Sequence, residues 1–217
     1  MYPLKLTGLP TNSDRVMHFK ASLGGEITQK FKFIHYGKKP TTYTCRIEKI
    51  GQASQQPVDP KAKAPPVVSD FSVENPAVQV QGSDTFEGIE ATVNIKFEPS
   101  SMGESASQII ISSPDSGDYI STLNGVTISP QPKGPYKINA KPPPIDFKNP
   151  FFEAYEFVVR IDNPSFTSTV KSPVKVDGKK ALSINLSYKA VQGFSSNGRL
   201  TISAGENLTW VFYLQGE

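Results

Sequence analysis

Cysteine and histidine are scarce in this chain. Its 217 residues include one cysteine, Cys45, and two histidines, His18 and His35. A single cysteine excludes an internal disulfide and favours a reducing compartment over secretion. The three residues could in principle form a nucleophile–base pair or a metal site. Two isolated strand histidines and a small buried thiol are the simpler interpretation, so we expect no catalytic residue, no metal and no cofactor.

The sequence also lacks a long apolar run and a strong charge excess. A helix that spans a bilayer needs about 20 apolar residues, and no segment approaches that length. The net charge is +3; residues 136–217 carry 10 basic and 7 acidic side chains, whereas residues 1–135 carry 13 of each. This excess is well below that of a nucleic-acid-binding domain. We therefore expect neither a nucleic-acid partner nor a membrane span.

Aromatic residues, prolines and glycines are plentiful. The chain has 13 Phe, 8 Tyr, 19 Pro and 16 Gly, a composition typical of short strands joined by turns. Apolar and polar residues alternate through many segments, as in 91–97 and 182–188, and this period of two indicates half-buried strands. The sequence thus predicts an all-β protein with two tandem immunoglobulin-like antiparallel β-sandwich domains and no disulfides.

A short motif occurs three times: an aromatic residue, a leucine four positions later, and a glycine two positions after the leucine. The copies end at Gly8, Gly125 and Gly216. The aromatic residue and the leucine share one face of a strand. The glycine is expected to end that strand, because it tolerates a positive φ. We interpret the motif as the closing strand of a repeated domain.

The repeated motif and the proline content predict the domain boundaries. Residues 1–8 are assigned to the final strand of a preceding repeat, residues 9–133 to a first sandwich, and residues 145–217 to a second. The Pro-rich segment 134–144 is expected to be a stiff linker. The Pro-rich segment 51–69 is expected to be a loop insertion in the first sandwich. As a fragment, the chain is expected to be monomeric.

Two features are candidate binding residues. Four lysines cluster near one end of the second domain, with one local acidic offset: Lys171, Lys175, Lys179 and Lys180. They could form a docking patch for an acidic partner, such as a tubulin tail, or a solvated region that protects a sheet edge from aggregation. Trp210 could be an exposed binding anchor, but its register with the other apolar residues of its strand favours core packing.

The order of several motifs matches that of one known family. In the first domain these motifs are Phe31-x-Phe33, Val93-x-Ile95-x-Phe97-x-Pro99 and Tyr119-Ile-x-x-Leu123-x-Gly125. In the second they are Ile145-x-Phe147-x-Asn149-Pro150, Val159-x-Ile161-x-Asn163-Pro164 and the closing segment 210–216. With these motifs the chain resembles the ASH domains, a branch of the major-sperm-protein-like immunoglobulin-like sandwiches, as they occur in hydin-like cilia- and flagella-associated proteins.

The resemblance implies a function. Hydin-like proteins are non-catalytic scaffolds of the axonemal central apparatus. The chain is therefore expected to be a scaffold segment in the cytoskeleton of a cilium or flagellum, to be needed for motility, and to have no small-molecule substrate. Its expected partners are other axonemal proteins, including microtubule-associated ones. The alternative is a trafficking adaptor that binds short peptide motifs or small GTPases at membranes, as related domains of the superfamily do.

Overall fold

The structure is a computed structural model that describes residues 15–50, 69–85, 87–114, 117–139 and 142–217. The expected strand at residues 1–8 and nearly all of the expected insertion lie outside the described residues. Within the described residues every regular element is a β-strand, so the all-β prediction is confirmed.

The described residues of the first half of the chain form eight strands in two sheets. The five-stranded sheet has the order β1-β8-β7-β3-β5 and the three-stranded sheet has the order β2-β6-β4. The strands are β1 (Val16–Ser22), β2 (Ile27–His35), β3 (Thr41–Lys49), β4 (Phe71–Val73), β5 (Ala77–Val80), β6 (Ile89–Phe97), β7 (Gly103–Ser113) and β8 (Gly117–Ile128).

In the second half, nine strands lie within the part of the chain that the structure describes. The five-stranded sheet has the order β13-β11-β16-β17-β9, and the facing layer consists of the pairs β10-β14 and β12-β15. The strands are β9 (Lys133–Ile138), β10 (Ile145–Lys148), β11 (Tyr155–Ile161), β12 (Phe166–Ser168), β13 (Val174–Val176), β14 (Ala181–Ile184), β15 (Leu186–Tyr188), β16 (Asn197–Ala204) and β17 (Leu208–Gly216).

The two halves share one topology. Read from the edge, β1-β8-β7-β3-β5 corresponds strand by strand to β9-β17-β16-β11-β13. In the five-stranded sheet of the second half, β9 pairs in parallel with the closing strand β17. In the first, Thr122 N–H donates to Arg15 O and Leu23 N–H donates to Ile128 O, so β1 follows β8 in the same sense. The β11–β16, β16–β17 and β3–β7 pairs are antiparallel, and the predicted pair of immunoglobulin-like sandwiches is confirmed.

Two local expectations were wrong. The segment expected to be a stiff linker contains most of β9, because the backbone from Lys133 onward pairs with β17. The two motif glycines within the described residues, Gly125 and Gly216, do not end their strands through a positive φ. Strand β8 continues past Gly125, and neither Gly125 nor Gly216 is among the positive-φ glycines of the described residues. A Cβ at Gly216 would lie 2.3 Å from the ring of Tyr188, so glycine here allows a close ring contact.

The described residues form two compact units, which we call unit 1 and unit 2. Unit 1 extends to His18 and includes Gln29–Ile95 and Ala106–Asn124; unit 2 comprises Phe19–Thr28, Lys96–Ser105 and Gly125–Glu217. The core of unit 1 is built from alternating strand residues that are almost completely buried, including Phe33, Tyr43, Val93, Ile95, Ile109, Ile111 and Leu123. The core of unit 2 includes Leu23, Ile138, Phe147, Phe157, Ile184, Leu200, Ile202, Trp210 and Leu214.

Candidate docking surfaces

The four candidate lysines lie along and after an edge strand of unit 2. Lys175 is the middle residue of β13, which pairs with β11 at the edge of the five-stranded sheet. Lys171 precedes this strand, and the other two lie in the turn that leads to β14. Lys171, Lys175 and Lys180 are exposed, whereas Lys179 is half-buried. The structure therefore places all four near one sheet edge, but it does not present them equally.

Lys179 takes part in an ion cluster inside unit 2. Its Nζ lies 3.4 Å from Glu98 Oε1 and 4.4 Å from the centroid of the Phe152 ring. Lys148 Nζ lies 2.8 Å from the same Oε1, and Lys96 Nζ lies 3.8 Å from Glu98 Oε2. Burial disfavours the charged carboxylate, but the hydrogen bond from Lys148 and the charges of the three lysines outweigh it and hold the pKa of Glu98 below its ordinary range. A partner that binds the ammonium group of Lys179 would have to compete with the Glu98 carboxylate.

Two exposed carboxylates lie along the same edge as the exposed lysines. The β11–β13 register places Glu156 directly opposite Lys175, and directly opposite residues project from the same face of a sheet. Asp177 is exposed in the adjoining turn. This edge is thus a mosaic of both charges, because three exposed lysines lie among exposed carboxylates.

Asn149 fixes the turn that carries Lys179 and Lys180. Its side chain is fully buried, and its Nδ2 donates to the carbonyl oxygens of Glu153, Val176 and Asp177 at 3.0, 2.9 and 3.1 Å. Its Oδ1 accepts from Phe151 N–H at 2.9 Å. The next residue is Pro150, which has no N–H to satisfy. The Asn149-Pro150 pair thus joins the turn after β10 to the turn after β13.

Asn163 does the same for a second loop. Its buried Nδ2 donates to Ser195 O and Asn197 O, both at 2.8 Å, and its Oδ1 accepts from Ser165 N–H at 2.9 Å. Ser165, also buried, accepts Lys189 N–H at its carbonyl oxygen and Val191 N–H at its Oγ. The sequence showed both Asn-Pro pairs as motifs. It did not show that their side chains hold distant loops, because the hydrogen-bond partners lie up to 34 residues away.

The loop held by Asn163 exposes apolar side chains that sequence reasoning missed. It joins β15 to β16 and spans residues 189–196, all of which are exposed. Phe194 is 54% exposed and Val191 is 37% exposed. Phe194 N–H donates to Val191 O at 3.1 Å, and Gly193 closes this turn with a φ of +88°. The signal available in the sequence was a valine and a phenylalanine in an otherwise polar segment with a glycine between them.

Trp210 is a core residue, as predicted. It is 5% exposed, its ring packs edge-on against Phe147 at 5.2 Å between centroids, and its Nε1 donates to Leu23 O at 2.9 Å. A Cβ at Gly24 would lie 2.8 Å from that Nε1. Gly24 has a φ of +83°, so both its conformation and its lack of a side chain suit this contact.

The two histidines and the single cysteine lie in different environments. His18 is exposed, and both ring nitrogens of the buried His35 have partners: Tyr43 Oη at 2.9 Å and Lys39 O at 3.0 Å. Cys45 is buried, and burial raises the pKa of its thiol, which makes it a poor nucleophile. Among the described residues no group of three or more His, Cys, Asp or Glu side chains is arranged to hold a metal ion. The same residues contain no helix that could cross a bilayer.

The strand order and the antiparallel pairing define the class of fold. The fold is that of disulfide-free immunoglobulin-like sandwiches, and solved structures of this kind include the ASH/PapD-like domain of human CEP192, at 11% identity and a TM-score of 0.38 over 60% of this chain and 96% of that one. The E. coli chaperone DraB matches at 12% identity and a TM-score of 0.38 over 94% of this chain and 96% of that one. No protein-family model matches the chain.

The sequence relatives are more specific. The human hydrocephalus-inducing protein homolog is 32% identical over 228 aligned residues, and the mouse hydrocephalus-inducing protein is 29% identical over the same length. Each alignment covers 99% of this chain but only 4% of the relative. The chain therefore resembles a short part of the hydrocephalus-inducing proteins along nearly its whole length, and the family resemblance expected from the motifs is confirmed.

Proposed function

We propose that this chain is a non-catalytic scaffold segment of a ciliary or flagellar protein, located in the axonemal central apparatus and needed for motility. The observation that carries the proposal is its similarity to hydrocephalus-inducing proteins along 99% of its length. The motif order in both sandwiches agrees with that relationship. A narrower hypothesis is that the chain belongs to one cilia- and flagella-associated protein, number 47 of that series.

The fold suits a scaffold because hydrogen bonds from buried asparagines hold two of its described loops in place. Asn149 and Asn163 are buried, and each donates to backbone carbonyl oxygens on a distant loop. Such bonds keep exposed side chains in fixed positions, which lowers the entropy lost when a partner docks. In this proposal the chain acts through protein–protein docking and has no substrate.

Fractionation of ciliated cells tests the proposal. The chain, tagged in its native gene, should remain with the microtubules when the ciliary membrane is removed with detergent, and disruption of the gene should impair beating. Release of the protein with the detergent-soluble membrane, together with normal beating, would overturn the scaffold and favour the trafficking adaptor. A tagged soluble cytosolic enzyme is the control for trapping.

For the lysine cluster we propose a weak docking role toward an acidic segment, carried by the exposed Lys171, Lys175 and Lys180. Because carboxylates lie among them, the attraction should be modest and should fall as salt rises. Changing all three to Glu should abolish binding of a glutamate-rich tubulin-tail peptide at low ionic strength. The matched control changes three exposed lysines of unit 1 to Glu: Lys30, Lys38 and Lys49. Equal loss in both variants would show a net-charge effect only.

A further inference from the structure

An open cavity lies next to the ion cluster centred on Glu98. Its volume is about 330 Å³, and it is lined by residues 24–26, Glu98, Lys133, Lys148 and Pro150. All of these residues belong to unit 2. A cavity of this size is at the small end of the range of ligand-binding pockets, so it accommodates one side chain of a partner.

The ion cluster brings several ammonium groups together beside this cavity. Lys96, Lys148 and Lys179 share the Glu98 carboxylate, and Lys96 Nζ also lies 2.5 Å from Glu26 Oε2. The side chains of Lys96, Lys179 and Glu98 are only 22–27% exposed. Salt screens charges in such a position less than it screens fully exposed ones.

Lys133 makes the positive charge exceed the negative charge. It is the first residue of β9, it is exposed, and it lines the cavity. With it, four lysines stand against two glutamates, which leaves a net charge of +2 in and beside the cavity. This excess favours an anion as the occupant.

The cavity adjoins the turn that carries Lys179 and Lys180. Asn149 N–H donates to Lys180 O at 2.9 Å, and Lys179 N–H donates to Phe151 O at 3.0 Å. Pro150, between the two residues that make these bonds, lines the cavity. The exposed lysines of the candidate patch thus continue from the rim of the cavity along the sheet edge. A string of carboxylates matches this arrangement better than a single free anion does.

We infer that the cavity is an anion site that takes one glutamate or aspartate side chain of an acidic partner segment, whose remaining carboxylates lie along the exposed lysines of the patch. The inference rests on the docking role proposed above for those lysines and gives that docking an anchor point. The incoming carboxylate would lie between Lys133 and Lys148, where Glu98 would compete with it for the Lys148 ammonium group.

Peptide binding tests the inference. Fluorescence anisotropy measures the affinity of a labelled glutamate-rich tubulin-tail peptide for purified residues 1–217 at about 0.15 M salt, where the Debye length is about 8 Å. Lys133→Gln should weaken binding about tenfold, as expected for the loss of one charge-assisted hydrogen bond. Lys137→Gln is the control because it removes the same charge from the same strand. Lys137 pairs with Glu217 and does not line the cavity, so the affinity should change by less than about twofold.

Glu98→Gln provides a change of the opposite sign. It removes the competing carboxylate, so the peptide should bind at least about threefold more tightly. The exposed Glu104→Gln makes the same change in net charge and should have little effect. Weaker binding by Glu98→Gln would mean that Glu98 serves only to hold the lysines in place, and it would contradict the inference.

The remaining outcomes separate this site from its alternatives. Equal effects of Lys133→Gln and Lys137→Gln, or of the two glutamate variants, would indicate net charge alone and overturn the inference. Anionic vesicles that capture the parent but not Lys133→Gln, without any peptide binding, would identify a lipid headgroup and also overturn it. If the parent binds the peptide and Lys133→Gln binds it equally well, the cavity inference fails while the docking role of the exposed lysines stands. Because purified protein is used, neither failure affects the ciliary proposal.

Discussion

The two sandwiches follow one strand order but fill it with different chemistry. In the first, a polar group is built into the interior: Tyr43 is fully buried, and its hydroxyl lies 2.9 Å from Nδ1 of buried His35. In the second, the corresponding interior is a cluster of aromatic rings in which Phe147, Phe157 and Trp210 lie 4.9 to 6.0 Å apart between centroids. Among the described residues of this half, the buried polar side chains are instead Asn149, Asn163 and Ser165, which lie at the loops.

The difference shows what the repeat preserves. Strand order and the alternation of buried residues are common to both halves, because they decide which face of each sheet is apolar. The buried polar side chains, by contrast, differ between the two halves. In the first half the carbonyl of Lys39 can only accept, so His35 Nε2 carries a hydrogen, and in the neutral ring Nδ1 then accepts from the Tyr43 hydroxyl. In the second half amide groups of Asn hold whole loops in place.

The largest effect is expected at Trp210, the centre of the aromatic cluster. Trp210→Ala should lower the free energy of unfolding by ~3–5 kcal/mol through lost burial and a residual cavity. Trp210→Phe, which keeps a ring but loses the bond to Leu23 O, should cost less. Urea unfolding followed by circular dichroism measures both. An alanine variant within about 1 kcal/mol of the parent would mean that the cluster does not stabilise the second sandwich.

The asparagine anchors should come next. Asn163→Ala leaves two carbonyl oxygens and the Ser165 N–H without their partner, which should cost about 2–3 kcal/mol. Asn163→Asp should not rescue the loss, because a carboxylate cannot donate to those carbonyls. The exposed Asn185→Ala is the matched control and should stay within ~0.5 kcal/mol. Equal stabilities for the Asn163 and Asn185 variants would remove the proposed distinction between loop anchors and surface asparagines.

A smaller effect is expected in the first sandwich. Tyr43→Phe keeps the ring but removes the hydroxyl that His35 Nδ1 uses, so we expect a loss of about 1–2 kcal/mol. Tyr36, which is 62% exposed, provides the control, and Tyr36→Phe should be silent in the same denaturation experiment. No loss on Tyr43→Phe would show that the buried polar group does not stabilise this half.

The smallest effect concerns pH. Since the pKa of Glu98 is lower in the folded state than its ordinary value of 4.5, its contribution to stability is complete above that value. The contribution is lost as the pH falls through the lower folded pKa. Glu98→Gln should therefore flatten the acid side of the stability–pH curve and leave the slope of its neutral side unchanged, because the carboxylate is ionised in both the folded and the unfolded state there. The exposed Glu104→Gln is the control. Identical acid limbs for parent and Glu98→Gln would contradict the ion cluster.

Sequence reasoning predicted what depends on neighbouring residues. The alternation in 91–97 and 182–188 specified strands, and the register of Trp210 with its strand specified burial; both predictions are confirmed. That reasoning could not predict strand pairing or hydrogen bonds between residues that lie far apart in the chain. Strand β9 is edge-paired because β17 lies beside it, and a proline-rich segment carries no sign of such a partner.

The candidate site shows the same limit. Lys179 looked like part of a basic patch because its local sequence is rich in lysine. Its carboxylate partner, Glu98, is 81 residues away, so no local window could reveal the pairing. The exposed pair in the β15–β16 loop was overlooked for a related reason: only the position of Asn163 shows that this loop is held in place.

The most direct test of the central claim, that this hydin-like segment belongs to an axonemal scaffold, is immunogold electron microscopy of cross-sectioned cilia. The chain is tagged in its native gene, and gold particles are mapped relative to the microtubules. We predict that the label concentrates at the central pair. Label distributed along the ciliary membrane or through the cell body, with none at the central pair, would contradict the account.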